Sequence, residues 1–97
     1  MPRYYRHIRQ GDQLIEDPDG IELPDLARAR AEALAGIRDI LAEAIKRGAD
    51  DSLDDAVVIA DETGRELMTV PFIEALPQRL YEAILASGSK AGSDTNP

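Results

Sequence analysis

Residues 25–48 read DLARARAEALAGIRDILAEAIKRG, and this stretch decides the fold. Apolar residues recur in it at steps of three and four, which is the spacing of one face of an α-helix. Asp25 suits the N-cap, because its carboxylate can accept from the first free backbone amides, and Gly48 suits the left-handed position that ends a helix. The stretch therefore predicts one amphipathic helix over 26–47. Its apolar stripe consists of Leu26, Ala29, Ala33, Leu34, Ile37, Ile40, Leu41, Ala44 and Ile45.

A β-hairpin is predicted before this helix. Residues 3–9 are rich in strand-favouring side chains, and a second strand over 14–17 follows the turn signal Gly11-Asp12. We expect a register in which Ile8 faces Ile15, because it puts both isoleucines on one face. The same register places Arg9, His7 and Arg6 opposite Leu14, Glu16 and Asp17. The turn Asp17-Pro18-Asp19-Gly20 ends the hairpin, and residues 21–23 are expected to extend the strand or cover the sheet edge.

A second hairpin is predicted after the helix, with strands over 56–61 and 66–72 and a glycine-containing turn over 61–64. Neither strand alternates between apolar and polar residues, which is typical of strands covered on both faces. One helix covers only one face. We therefore expect the other face to be covered by the segment 73–86, predicted to be helical from Pro77, or by a second copy of the chain.

Together these elements predict an α+β fold of the order ββαββ(α). An antiparallel four-stranded sheet packs on one long amphipathic helix, and a short C-terminal helix follows. The 97 residues have room for one domain, which we assign to 1–86. Residues 87–97 contain a single apolar residue and no periodicity, so they are predicted to form a disordered tail.

Composition excludes several classes of function. The chain has no cysteine, which excludes disulfides and thiolate chemistry, and its net charge of −8 repels phosphate backbones and anionic lipid. No segment approaches the roughly 18–20 consecutive apolar residues that span a bilayer. Residues 1–6 also lack the apolar run of a signal peptide. We therefore expect a cytoplasmic protein that has no membrane partner.

Residues suited to catalysis or metal binding are few. His7 is the only histidine, and no serine lies in a context that suggests a triad, so we interpret it as a surface histidine paired with Glu16. The acidic clusters over 16–19 and 50–55 lack the spacing of a calcium loop and are interpreted as solvated turns. The sequence predicts a non-enzymatic protein with no catalytic residue, no cofactor and no metal.

The first strand also suggests nucleic-acid binding, because residues 3–9 interleave arginine with tyrosine, as in some base-stacking sheets. This stretch carries a charge of +3, whereas residues 12–25 carry six acids and no base. Because the arginines have neutralising partners in their own hairpin, weak nucleic-acid binding is kept only as an alternative.

Three segments together resemble a family of small, uncharacterised bacterial proteins, a domain of unknown function. They are MPRYY followed by His7, EDPDGIELPD at 16–25, and ADETGR at 60–65 with TVPF at 69–72. The resemblance spans Met1 to about Leu76 and implies no activity, cofactor or site residue. The chain departs from the family at Arg6, where an aromatic residue is usual.

A looser similarity is to antitoxins of the HicB type. It is carried by Pro24-Asp25-Leu26 and the alanine-rich helix that follows. This similarity implies an antitoxin-like protein that binds a partner protein.

The function predicted from the sequence is a binding or regulatory module that forms a homodimer or binds another protein. Contact is expected through the apolar sheet face or the C-terminal helix. The candidate interaction surface consists of Tyr4, Tyr5, Arg6, His7, Met68, Phe72, Leu80, Tyr81 and Ile84.

Overall fold

The computed structural model describes residues 1–49 and 51–91, and it confirms the α+β fold with two helices. The elements are β1 (Arg3–Gln10), β2 (Gln13–Ile15), β3 (Ile21–Glu22), α1 (Leu26–Arg47), β4 (Ala56–Ala60), β5 (Glu66–Pro71) and α2 (Gln78–Ala91), with 3₁₀ turns at Asp51–Asp54 and Phe72–Ala75. The backbone of α2 continues past Ala86, where the sequence predicted the domain to end. The rest of the predicted disordered tail, residues 92–97, lies outside the described residues. Neither helix in the described ranges is long and apolar enough to cross a membrane.

The sheet is antiparallel in the order β2-β1-β4-β5, and β3 also pairs with β1. The first hairpin has the predicted register, with Ile8 opposite Ile15 and Arg9 opposite Leu14. Strand β2 is shorter than predicted, and its ladder ends at Ile15. Strand β4 pairs with one edge of β1. Strands β2 and β3 pair with successive parts of its other edge. The segment 21–22 therefore extends the sheet edge, which is one of the two roles expected for it.

Helix α1 has the predicted bounds and caps. The Asp25 carboxylate accepts from the backbone N–H of Arg28 at 2.9 Å, and Gly48 ends the helix at φ 73°. Its buried stripe packs against side chains from β1, β4 and β5, so both hairpins contribute to one core. The buried members of this core are Tyr4, Leu23, Ala29, Ala33, Ile37, Leu41, Val57, Ile59, Val70, Phe72 and Ala75.

Two members of the predicted stripe are exposed, and Leu26 and Leu34 are half-buried. The exposed fraction of Ile40 is 37% and that of Ile45 is 72%. A 22-residue helix is about 33 Å long, whereas a five-residue strand spans about 17 Å. The C-terminal end of α1 therefore extends beyond the sheet, which leaves Ile45 without a sheet residue to pack on.

The second face of the sheet is covered differently from what the sequence predicted. Val58 and Ala60 are buried within the single chain, at 0% and 1% exposure. They are small residues of a central strand, paired with the larger, half-buried His7 and Tyr5 of β1. Helix α2 does not cover this face, since it lines a groove with the C-terminal end of α1, on the opposite side of the sheet.

Candidate interaction surface

The four residues predicted on β1 do not form one surface, because successive side chains of a strand point to opposite faces. Tyr4 belongs to the core at 7% exposure, which removes it from any surface. Arg6 also faces α1, where it lines a groove. Tyr5 and His7 lie on the other face, where their rings stack with centroids 6.3 Å apart.

His7 is held by the backbone and not by Glu16. Its Nδ1 accepts the backbone N–H of Asp17 at 3.0 Å. The contact predicted with Glu16 is replaced by this hydrogen bond to the next residue. The ring acts as a structural acceptor that helps to attach the turn to β1.

Asp17 fills the break between β2 and β3 along the edge of β1. Its Oδ2 accepts the backbone N–H of Arg6 at 3.1 Å, and its Oδ1 accepts those of Asp19 and Gly20 at 3.1 and 3.2 Å. The pKa of Asp17 is lowered: partial burial acts to raise it, but these three donors and the nearby Arg6 guanidinium outweigh that effect. The carboxylate thus replaces the backbone partner that a continuous strand would supply.

Two of the three arginines of β1 form ion pairs with acids, but only Arg3 finds its partner in the first hairpin, as the charge pattern suggested. Arg3 forms an ion pair with Glu22 at 3.3 Å and also donates to the Asp19 carbonyl. Arg9 forms an ion pair with Glu66 at 3.7 Å, which lies on β5 and not in the first hairpin. With Tyr4 buried, the aromatic and basic residues of this strand do not form a continuous face for stacking bases. No three His, Cys, Asp or Glu side chains converge as a metal site within residues 1–49 and 51–91.

The predicted apolar residues of the second half fall into two groups. Phe72 is 1% exposed and belongs to the core, so it is not available to a partner, and Met68 is half-buried against the same core. The three residues of α2 lie outside the core. Leu80 is 47% exposed, and Tyr81 and Ile84 are half-buried.

An apolar groove of about 220 Å³ runs between α2 and the C-terminal end of α1. The described residues of its lining are all uncharged: Leu41, Ala44, Ile45, Ala49, Ser52, Leu53, Leu76, Leu80 and Ile84. Sequence reasoning missed Ile45 and Leu53 as members of this surface. The length of the predicted helix relative to the strands is the signal that could have identified Ile45, because it implies an overhang.

A family model described as a domain of unknown function (DUF6894) matches residues 3–73, which include the whole sheet and α1. The chain belongs to the DUF6894 family. The predicted membership of a family of unknown function is thereby confirmed. No curated protein and no solved structure matches the chain.

Helix α2 of this DUF6894 member, at Gln78–Ala91, lies beyond the matched residues. The family description names no activity, ligand or partner. A function must therefore be argued from the surfaces of this chain.

Proposed function

We propose that this DUF6894 member is a non-enzymatic protein-binding module that forms a homodimer through α2 and the groove beside it. The observation that carries the proposal is the exposed apolar side of α2 next to a groove whose described lining residues are uncharged. Leu80 and Leu85 are 47% and 48% exposed, and Ile45 at the rim is 72% exposed. Large apolar side chains clustered in this way on a surface mark sites of association.

A second copy of the chain fits this surface better than an unrelated partner does. The surface contains both a ridge, the apolar side of α2, and a groove alongside it. A two-fold axis would lay the ridge of one copy against the groove of the other, which is the self-complementary contact of a symmetric dimer. The described residues of the groove lining carry no charge, so no carboxylate among them opposes the approach of a second copy.

The other face of the sheet is a weaker candidate for this contact. Its concave region is lined by Glu16, Asp17, Asp61, Glu62 and Glu66, together with Tyr5 and His7. Two copies meeting there would bring like charges together at a cost in binding free energy.

The proposal assigns the protein to the cytoplasm and gives it no enzymatic role. A chain without cysteine has no disulfide to maintain and suits a reducing compartment. His7 has its Nδ1 occupied by the Asp17 backbone N–H, which leaves only the other ring nitrogen for proton transfer. The antitoxin-like and nucleic-acid-binding alternatives stay predictions, since no particular contact favours either.

Sedimentation equilibrium of the full chain at micromolar concentration tests the proposal. We expect a mass near twice 10.6 kDa for the wild type and a shift towards 10.6 kDa for Leu80→Glu. Leu14→Glu is the matched control: Leu14 is 41% exposed but lies on the first hairpin, so this variant should stay dimeric. A wild type that sediments as a monomer up to about 100 μM would contradict the proposal, as would equal effects of the two substitutions. Co-purification of an unrelated protein with a wild-type monomer would favour a different partner.

A further inference from the structure

A second groove lies between the middle of α1 and the edge of the first hairpin, and it shares no residue with the groove beside α2. Its volume is about 320 Å³, near the lower end of the range found for small-molecule sites. Most of its walls are apolar, with one arginine among them. The lining residues are Arg6, Ile8, Ile15, Glu16, Asp17, Ala33, Gly36, Ile37, Ile40 and Val57.

Gly36 keeps this groove open on the helix side. A glycine inside a helix is less favourable than alanine, so its position needs a reason. Close packing is not that reason, because a Cβ built at Gly36 would meet no atom within 4 Å. The missing side chain instead leaves space beside Ile37 and Ile40, and Ile15 bounds the groove from the hairpin.

Arg6 supplies an unused hydrogen-bond donor at the same place. Its Nε is buried and has no hydrogen-bond partner among the described residues, and its guanidinium forms no ion pair within 4.0 Å there. A buried donor without a hydrogen-bond partner is unfavourable, and the Arg6 side chain as a whole is only half-buried and lines the groove. Guanidinium groups bind carboxylates especially well, through two parallel hydrogen bonds.

The two acids of the groove do not fill this role. Asp17 already accepts three backbone N–H groups, which hold its carboxylate at the turn. Glu16 is exposed and lies at the rim. The guanidinium lies close enough to Asp17 to interact with its charge but forms no hydrogen bond or ion pair with it, so an anionic ligand can supply the acceptors that Arg6 lacks and a cationic one cannot.

From this combination we infer that the groove binds a small organic carboxylate with an aliphatic chain. The carboxylate accepts from the Arg6 guanidinium, and the chain packs between Ile15 on the hairpin and Ile40 on the helix. Both isoleucines are partly exposed, at 48% and 37%, so their burial by the chain adds hydrophobic stabilisation to the charged contact.

The first test is an NMR titration of the full ¹⁵N-labelled chain with sodium octanoate. We expect saturable shifts confined to the amides around Gly36 on α1 and around Ile15 on β2. Octanamide is the matched neutral probe, with the same chain but no charge, and should bind at least tenfold more weakly. Equal affinity for the two probes, absence of saturable shifts, or shifts centred on the α2 groove would overturn the inference.

Variants separate the ligand site from structural roles of the same residues. Gly36→Leu fills the groove and should abolish octanoate binding while raising the melting temperature, because leucine favours the helix. Ala35→Leu is the matched control, since its neighbouring position is exposed, and it should bind octanoate like the wild type. Arg6→Met keeps the apolar stem and removes the donor, so it should lower octanoate affinity at least tenfold without changing octanamide affinity. Unchanged octanoate affinity in either Gly36→Leu or Arg6→Met would contradict the site.

Discussion

The two helices of this protein are both amphipathic, yet only one of them is covered by its own chain. Helix α1 buries Ala29, Ile37 and Leu41 against strands of both hairpins, whereas none of the described side chains of α2 belongs to the core, and Leu80 and Leu85 are exposed. The difference shows that a helical period identifies an apolar face but not what lies opposite it. What lies opposite depends on element lengths and on the path of the chain.

The largest expected effect is a difference in the free energy of unfolding between a substitution in α1 and one in α2. Ile37→Ala should lower the free energy of unfolding by about 2–5 kcal/mol, because it leaves a cavity at a side chain with 0% exposure. Leu80→Ala, measured on dilute monomer, should change it by no more than about 0.5 kcal/mol. Urea titration followed by circular dichroism measures both values. Similar losses for the two variants would mean that α2 is packed as firmly as α1.

Gly20 lies at a crowded position, whereas Gly36 has open space beside it. Gly20 has φ 67°, and a Cβ there would lie 2.9 Å from side-chain atoms of Arg3 and Tyr5 and 3.0 Å from the Tyr4 carbonyl oxygen. Gly20→Ala should therefore cost about 2 kcal/mol, through both a strained backbone and the crowding. A thermal melt compares it with the wild type, and a cost below about 0.5 kcal/mol would contradict the close approach of this turn to β1.

The contribution of Asp17 to stability should depend on pH. Because its pKa is lowered in the folded chain, its carboxylate contributes stability above the ordinary value of 3.8, and this contribution is lost as pH falls through the lowered pKa. Asp17→Asn should be less stable than the wild type by about 1 kcal/mol at pH 7, and the gap should narrow below pH 3.8. Asp12→Asn, at an exposed turn, is the control and should show no such trend. A gap that stays constant from pH 7 to about pH 2 would rule out the proposed role of the charge.

The smallest expected effect is that of a substitution at Gly36. Gly36→Ala should raise the free energy of unfolding by up to about 1 kcal/mol, because the helix gains propensity and no neighbour is displaced. Chemical denaturation of the variant beside Gly20→Ala gives the two signs directly. A destabilised Gly36→Ala would show that the space beside this glycine is filled.

Much of the fold could be predicted because the decisive signals are local. The caps of α1, the register at Ile8 and Ile15, and the turn at Asp17 each depend on a few neighbouring residues. The coverage of the sheet could not be predicted in this way. Val58 and Ala60 are buried by the side chains of paired strands, and a non-alternating strand does not distinguish that from a second layer.

The candidate site was harder to predict than the fold. Of the three residues predicted on α2, Leu80 and Ile84 line the apolar groove, whereas Tyr81 lines a separate region with Arg30 and Glu74. Tyr4 and Phe72 were expected on a surface but lie in the core, since strand alternation and the turn after β5 direct them inward. The orphaned Arg6 donor and the space beside Gly36 arise only when helix and hairpin come together, so no local pattern encodes them.

Hydrogen–deuterium exchange of the full chain at two protein concentrations tests most directly whether α1 is covered in cis and α2 by a second copy. Amides of α1 around Ile37 should exchange slowly and equally at both concentrations, while amides of α2 around Leu80 should exchange quickly in dilute solution and become protected as concentration rises. Exchange of the α2 amides that is independent of concentration, whether fast or slow, would contradict this account.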